Sequence, residues 1–355
     1  MKHLRKLSSL LTILLISALS LSACLDEEDS EYDDYNYYDE YSQDDWYPTE
    51  GSAENQQDPY SEGALEYYSQ ESSQTPNGTG GYNTTQSWQQ LYPNGSAGEL
   101  SGTIAVVSIF VNTNGMIWDF NDAGDLNTYS KAFYDLKYAT EYIQTQCANY
   151  GKEVNFVWDW TENKNLYYTT TLNLTINDVL LESNHIFNAL WEFIDKNVDN
   201  DGIRQSLNAD SIVYMAYLDA PEGNTQPSCA RNIYVGMPYP YEICLMQMRD
   251  TLGLTVPSTF AHEMLHTFGA PDLYSTDVYS AFRLEYGLTK EFTDYVKSIE
   301  LNDIMRVTHD LKTGTYLQTS ISQEITEITA YYTGLIDHSD IVDQWGFDPS
   351  QHLER

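Results

Sequence analysis

The chain has 355 residues, with 53 Asp and Glu against 17 Lys and Arg, and a formal net charge of −36. That balance argues against nucleic acid as a partner, because binding phosphate needs a basic face. Four cysteines are few, and the stretch from about residue 98 onward is long enough for one large apolar core or two small ones.

Lys2, Arg5 and Lys6 precede an apolar run, Leu7 to Leu21, that ends in Leu21-Ser22-Ala23-Cys24. A basic start, an apolar middle and small residues at the end predict a secretory signal over residues 1–23, too short for a comfortable membrane span. The Leu-Ser-Ala-Cys ending resembles the bacterial lipobox. The resemblance implies cleavage before Cys24, a lipid on its sulfur, and a protein held on the outer face of a bacterial cell membrane.

Residues 24–98 read as a stalk. No Lys or Arg occurs between Leu25 and Ser130, and "DEEDSEYDDYNYYDEYSQDD" has little aliphatic surface to bury against strong self-repulsion. It continues into the Gly/Thr/Asn-rich "QTPNGTGGYNTT". Such a coil of ~75 residues reaches roughly 50 Å, enough to hold residues 99–355 away from a surface.

The folded part opens with "GTIAVVSIFVNT", Gly102 to Thr113, a β-branched run that predicts a buried strand. Phe133, Leu136, Ala139 and Ile143 recur at helical spacing, so Asn127–Tyr150 reads as a helix that stops at Gly151. Val154–Trp160 predicts a strand, Ser183–Asn197 a second amphipathic helix, and Ser211–Ala220 a third strand. Between these last two, Asn197, Asp199 and Asp201 alternate before Gly202, as oxygen ligands of a Ca2+ loop do. Asn208 stands where a bidentate Glu should close such a loop. "RNIYVG" and "YEICLMQM" flank "MPYPY" as a hairpin-like pair, and Cys229 and Cys244 within this region are the favoured disulfide partners. Pro257–Phe268 reads as a helix with Pro in its first turn and Gly269 at its end. Ser322–Tyr332 reads as the last helix. This order predicts an α+β fold, a twisted mixed sheet with helices packed on it.

Chemistry concentrates in "STFAHEMLHTFGAPDLYS", Ser258 to Ser275. On a helix, residues four apart differ by about 40° in azimuth and about 6 Å in rise, so His262 and His266 converge on one ion. Glu263, about 100° further round, reaches a water on that ion without binding it. Gly269 supplies a left-handed turn that brings Asp272 back toward the histidines as a third ligand. The pattern His-Glu-x-x-His-x-x-Gly-x-x-Asp therefore describes an open Zn2+ site, with Glu263 as general base and acid for hydrolysis. Glu285, downstream in "SAFRLEYG", is the competing third ligand; Gly269 has a reason to be present only in the Asp272 scheme.

This arrangement resembles the metzincin clan of zinc endopeptidases, in the aspartate variant seen in snapalysin-like and immune-inhibitor-A-like secreted proteases. The resemblance implies a zincin-like catalytic domain and a methionine turn beneath the metal, for which "LNDIMR" offers Met305. The clan's tyrosine two places later is absent, since Val307 stands there; Tyr274 and Tyr316 are the substitutes to test. The implied partner is a protein or peptide substrate. The competing class is a surface-anchored binding lipoprotein with a structural or degenerate zinc site.

Overall fold

The computed structural model describes residues 95–179, 185–221, 224–230, 241–250, 253–274 and 290–345. All lie in one of the two units into which the chain divides, residues 58–355. The expected signal segment, Cys24, the tail as far as residue 94, and Glu285 lie outside the described residues.

Strand β1, Gly102–Asn112, forms where Ile104, Val106, Val107, Ile109 and Val111 favour extended backbone, and Ile104–Val111 are all buried. Burial on both faces fits a central strand. It pairs in parallel with β4 (Ser211–Leu218) on one side, and with β2 (Val154–Val157) and then β3 (Tyr167–Thr171) on the other. β4 in turn pairs in parallel with β6 (Ile243–Gln247), whose far edge carries the short antiparallel β5 (Cys229–Ala230). The fold is therefore α+β with a mixed sheet, in the order β2-β1-β4-β6-β5 with β3 beside β1.

Helix α1, Ala123–Asn149, begins four residues before its expected start, because the Asp122 carboxylate accepts from the Gly124 and Asp125 N–H groups. Ala132, Leu136, Ala139, Ile143 and Cys147 form its buried stripe. It packs against α4, Pro257–His266. Helix α2, His185–Asn197, lies where its periodicity predicts. The stretch read as a Ca2+ loop is instead helix α3, Asn200–Leu207. The Asp199 side chain caps it through Gly202 N at 3.0 Å, and Asn208 ends it in a left-handed conformation. The Asp199 carboxylate is thus used as a helix cap.

Residues 231–236, the first strand of the hairpin-like pair, lie outside the described residues; β6 pairs antiparallel with β5 just ahead of them. Two further expectations are corrected. The Cys229–Cys244 disulfide does not form. Cys229 stands opposite Leu245 and Ala230 opposite Cys244, a one-residue offset that sends the two side chains to opposite faces. The Cys244 thiol instead donates to Glu263 O at 3.2 Å. The last expected helix starts only at Glu327 (α6, Glu327–Tyr332), after α5 (Lys290–Ser298) and before a further short helix, α7 (Asp340–Trp345). Residues ahead of α6 are occupied elsewhere: Glu324 bridges to Asp303, and Ile325 N donates to Gln146 Oε1.

Residues 95–97, within the stretch read as the stalk, pack onto the end of α4, with Ala97 N donating to Thr267 O at 2.9 Å. Ser96 N and Oγ both donate to the buried Glu242 carboxylate at 2.8 Å. Gly95 has φ 57°, and a Cβ there would overlap Thr267 O and Gly269 N, so only glycine permits this approach.

Candidate metal centre

Helix α4 is short and buried on nearly every side; of its ten residues only Thr259 is partly exposed. Pro257 sits in its first turn, where a missing N–H breaks no helical bond. His262, Glu263 and His266 therefore stand in a water-poor setting, where ionisable groups are rare unless partnered.

Helical spacing turns the two histidines to one side. Their rings are 4.8 Å apart between centroids and cross at 88°. Each ring is pinned by its inner nitrogen. His262 Nδ1 lies 2.9 Å from Ile304 O, and His266 Nδ1 lies 2.7 Å from Ala270 O. A carbonyl can only accept, so each Nδ1 carries the proton and each Nε2 is left facing the site, the arrangement that prepares imidazole for a metal.

The chain then reverses. Gly269 has φ 94°. Gly269 N donates to His266 O at 2.8 Å and Ala270 N to Leu265 O at 3.2 Å, the paired bonds of a Schellman turn. This turn places Ala270 O on the His266 ring and returns Asp272 to the helix. Asp272 Oδ1 lies 3.0 Å from His262 Nε2 and 3.3 Å from His266 Nε2. Ligands about 2.1 Å from one tetrahedral ion stand about 3.4 Å apart. Both separations from Asp272 Oδ1 are thus close to the spacing that ligands of one small cation adopt.

Two oxygens make the same point from the side of hydrogen bonding. Asp272 Oδ1 and Glu263 Oε2 are buried without a hydrogen bond of adequate geometry. Such atoms cost about 1–3 kcal/mol each when left unmatched. Nothing in the neutral rings can donate to Asp272, because their protons are on Nδ1. A cation at the meeting point of the two Nε2 atoms and Oδ1 would satisfy all three. The donor set fits a metal ion, and His262, Glu263 and His266 offer ligand atoms within 4.8 Å of one another.

The electrostatics agree. Burial opposes charge on both rings, yet the nearby Asp272 and Glu263 outweigh it and raise both pKa values, that of His266 to about 9. Burial likewise opposes charge on Asp272, and the two histidines overcome it, holding its carboxyl far below the usual range. Glu263 is pushed up, first by burial; the rings and the Ala230 N–H, which donates to its carboxylate, pull the other way. The site attracts positive charge, as a proton or as a metal.

Met305, fully buried, follows Ile304 in a turn lying against the His262 ring, and Leu273 N donates to Met305 O at 2.8 Å. Tyr274 is roughly parallel to the His262 ring at 6.1 Å, whereas Tyr316 is paired with His309 at 5.8 Å. Sequence reasoning thus found His262, Glu263, His266, Asp272 and Met305, which the fold brings together. It missed the main-chain groups that orient them: Ile304 O, Ala270 O and Ala230 N–H. Main-chain atoms carry no residue signature, so the sequence held no signal for them. Comparison with known proteins finds no matching family model, curated protein or solved structure.

Proposed function

We propose that the protein is a zinc-dependent endopeptidase of metzincin type, with a zincin-like domain carried on an acidic stalk and anchored outside the cell through a lipid on Cys24. The observation that carries the reading is the convergence of Asp272 Oδ1 on both Nε2 atoms, at 3.0 and 3.3 Å, beside an unmatched Glu263 oxygen.

Zn2+ is the ion this set suits: two imidazoles and one carboxylate, with a position left for water and substrate. When bound there, zinc supplies a polarised substrate carbonyl and a more acidic water. The chain does the rest. Ile304 O and Ala270 O hold the two imidazoles in the tautomer that presents Nε2. Asp272 adds the negative charge that two neutral rings lack. Glu263, next to His262 on the same helix, takes a proton from water and delivers it to the leaving amine. Its raised pKa in a buried setting suits both halves of that task. The Ala230 N–H at the sheet edge donates to the Glu263 carboxylate.

A closed structural site, as in the competing binding-lipoprotein reading, has no use for a carboxylate that does not ligate. Glu263→Gln separates the two. We expect peptide-library cleavage to fall about 10²- to 10⁴-fold while zinc stays bound. Cleavage at the wild-type rate by this variant would end the proposed mechanism, and a zinc-replete wild type that cleaves nothing would end the peptidase reading.

A further inference from the structure

We propose that Asp303 is a positioning residue for the metal ligands, acting through two consecutive peptide groups on His262 and on the chain beside Asp272. The inference rests on the metal reading of the site. Asp303 is fully buried and lies two residues before Met305. Its carboxylate has four donors. Oδ1 accepts from Met305 N and from Thr329 Oγ1, both at 2.7 Å. Oδ2 accepts from Thr326 N at 3.0 Å, Thr326 Oγ1 at 2.5 Å and Thr329 Oγ1 at 2.8 Å. Helix α6 and the residue before it thus lock the carboxylate in place.

A trans peptide is planar, and its N–H and C=O point in opposite directions. The N–H of Met305 belongs to the same peptide as Ile304 O. Fixing that N–H on Asp303 Oδ1 aims Ile304 O away from Asp303, onto His262 Nδ1 at 2.9 Å. The next peptide repeats the device. Arg306 N donates to Asp303 O at 3.0 Å, and the Met305 O of that peptide accepts from Leu273 N at 2.8 Å. Leu273 follows Asp272. One residue therefore uses its side chain to aim the carbonyl behind the first ligand, and its main-chain oxygen to aim the carbonyl beside the third.

The first relay also carries charge. A carboxylate on one end of a peptide polarises its carbonyl, and a more negative carbonyl makes the imidazole it binds a stronger ligand. This is the carboxylate–histidine–metal arrangement with a peptide inserted between the first two members.

The test is Asp303→Asn, which keeps the shape but sets an N–H donor against the donors of the clamp. Thr329→Val loosens the clamp while keeping the carboxylate. Thr333→Val, in the same stretch but with a side chain that donates to Thr329 O and Ala330 O, is the control. Zinc dissociation constants are measured by chelator competition, visible spectra on the Co2+-loaded protein, and melting temperatures with and without metal. We expect the zinc constant to weaken about 10- to 100-fold in Asp303→Asn and about 3- to 10-fold in Thr329→Val, with shifted Co2+ bands in both. Thr333→Val should leave the constant and the bands unchanged. If Asp303→Asn does not fold, Thr329→Val decides. Clamp variants that lower both melting temperatures equally and keep the wild-type constant and spectrum would overturn the proposal. Wild type that binds zinc but cleaves no peptide sinks the peptidase reading alone; wild type that binds no metal sinks both.

Discussion

Two clusters of carboxylates in this protein solve the same electrostatic problem differently. At the C-terminal end of β4, Asp219 lies near Asp125 and Asp122 of the α1 start, and Arg249 reaches into the group. Its Nε is 3.4 Å from Asp219 Oδ1, its Nη2 is 3.9 Å from Asp125 Oδ1, and Nη2 donates to Thr128 Oγ1 at 2.7 Å. Burial and the contact with Asp125 still push Asp219 up to about 6, but the chain provides its own cation. At α4 the ionic partners of Asp272 among the described residues are the two histidines, whose inner nitrogens are already committed to carbonyls. The first cluster contains a guanidinium; the second brings two imidazole Nε2 atoms to one carboxylate oxygen. Acidic residues alone therefore do not mark a metal site. What sets the second cluster apart is that two imidazoles, their Nδ1 protons committed to carbonyls, face one carboxylate oxygen.

Asp272→Ala should break the contrast most sharply. Removing the third ligand costs more than disturbing a supporting group, so zinc affinity should fall by more than about 100-fold, read by metal content after dialysis. Glu285→Ala should retain full zinc; the reverse result would assign the third ligand to Glu285.

Arg249→Met is the matching change at the other cluster. It strips the resident cation from partly buried carboxylates and should destabilise the fold by about 1–3 kcal/mol near pH 8 in urea unfolding. The loss should shrink below about pH 6, where Asp219 takes up a proton. Zinc affinity should not change. A large drop in zinc affinity would mean that the two clusters are coupled.

Asp135, a third buried carboxylate, provides the mildest test. It is paired with Lys131 on α1, and its Oδ2 is unmatched. Burial raises its pKa from 3.8 to about 7, against the pull of Lys131. Between those values the folded state holds a proton that the unfolded chain has released, so stability falls as pH rises through the window. Asp135→Asn should flatten that slope, seen as a smaller drop in melting temperature between about pH 4 and 7. An unchanged slope would show that Asp135 does not titrate as its burial implies.

Local sequence carried much of this. β-branched runs announced β1 and β4, and helical spacing announced α1, α2 and α4, because side-chain sterics and face periodicity act within a few residues. Where a local pattern had competing outlets it misled: Asp199 caps α3 although it alternates like a Ca2+ ligand, and residues 322–326 join the Asp303 turn although their periodicity continues α6. The short strand β3 and helix α5 went unread, and Cys229 and Cys244 looked like partners until the register separated them.

By itself the sequence determined that His262 and His266 share one side of a helix, that Glu263 stands beside them, and that Gly269 turns the chain at its end. Each follows from the rise and twist of a helix or from the allowed φ of one residue. Tertiary structure decided that Asp272 meets both imidazoles, that Ile304 O, 42 residues from His262, fixes its tautomer, and that Asp303 holds that carbonyl in aim. Those contacts join segments whose separation along the chain carries no periodic signal. They exist only once the core has packed α4 between the sheet edge, α1 and the turn that carries Met305.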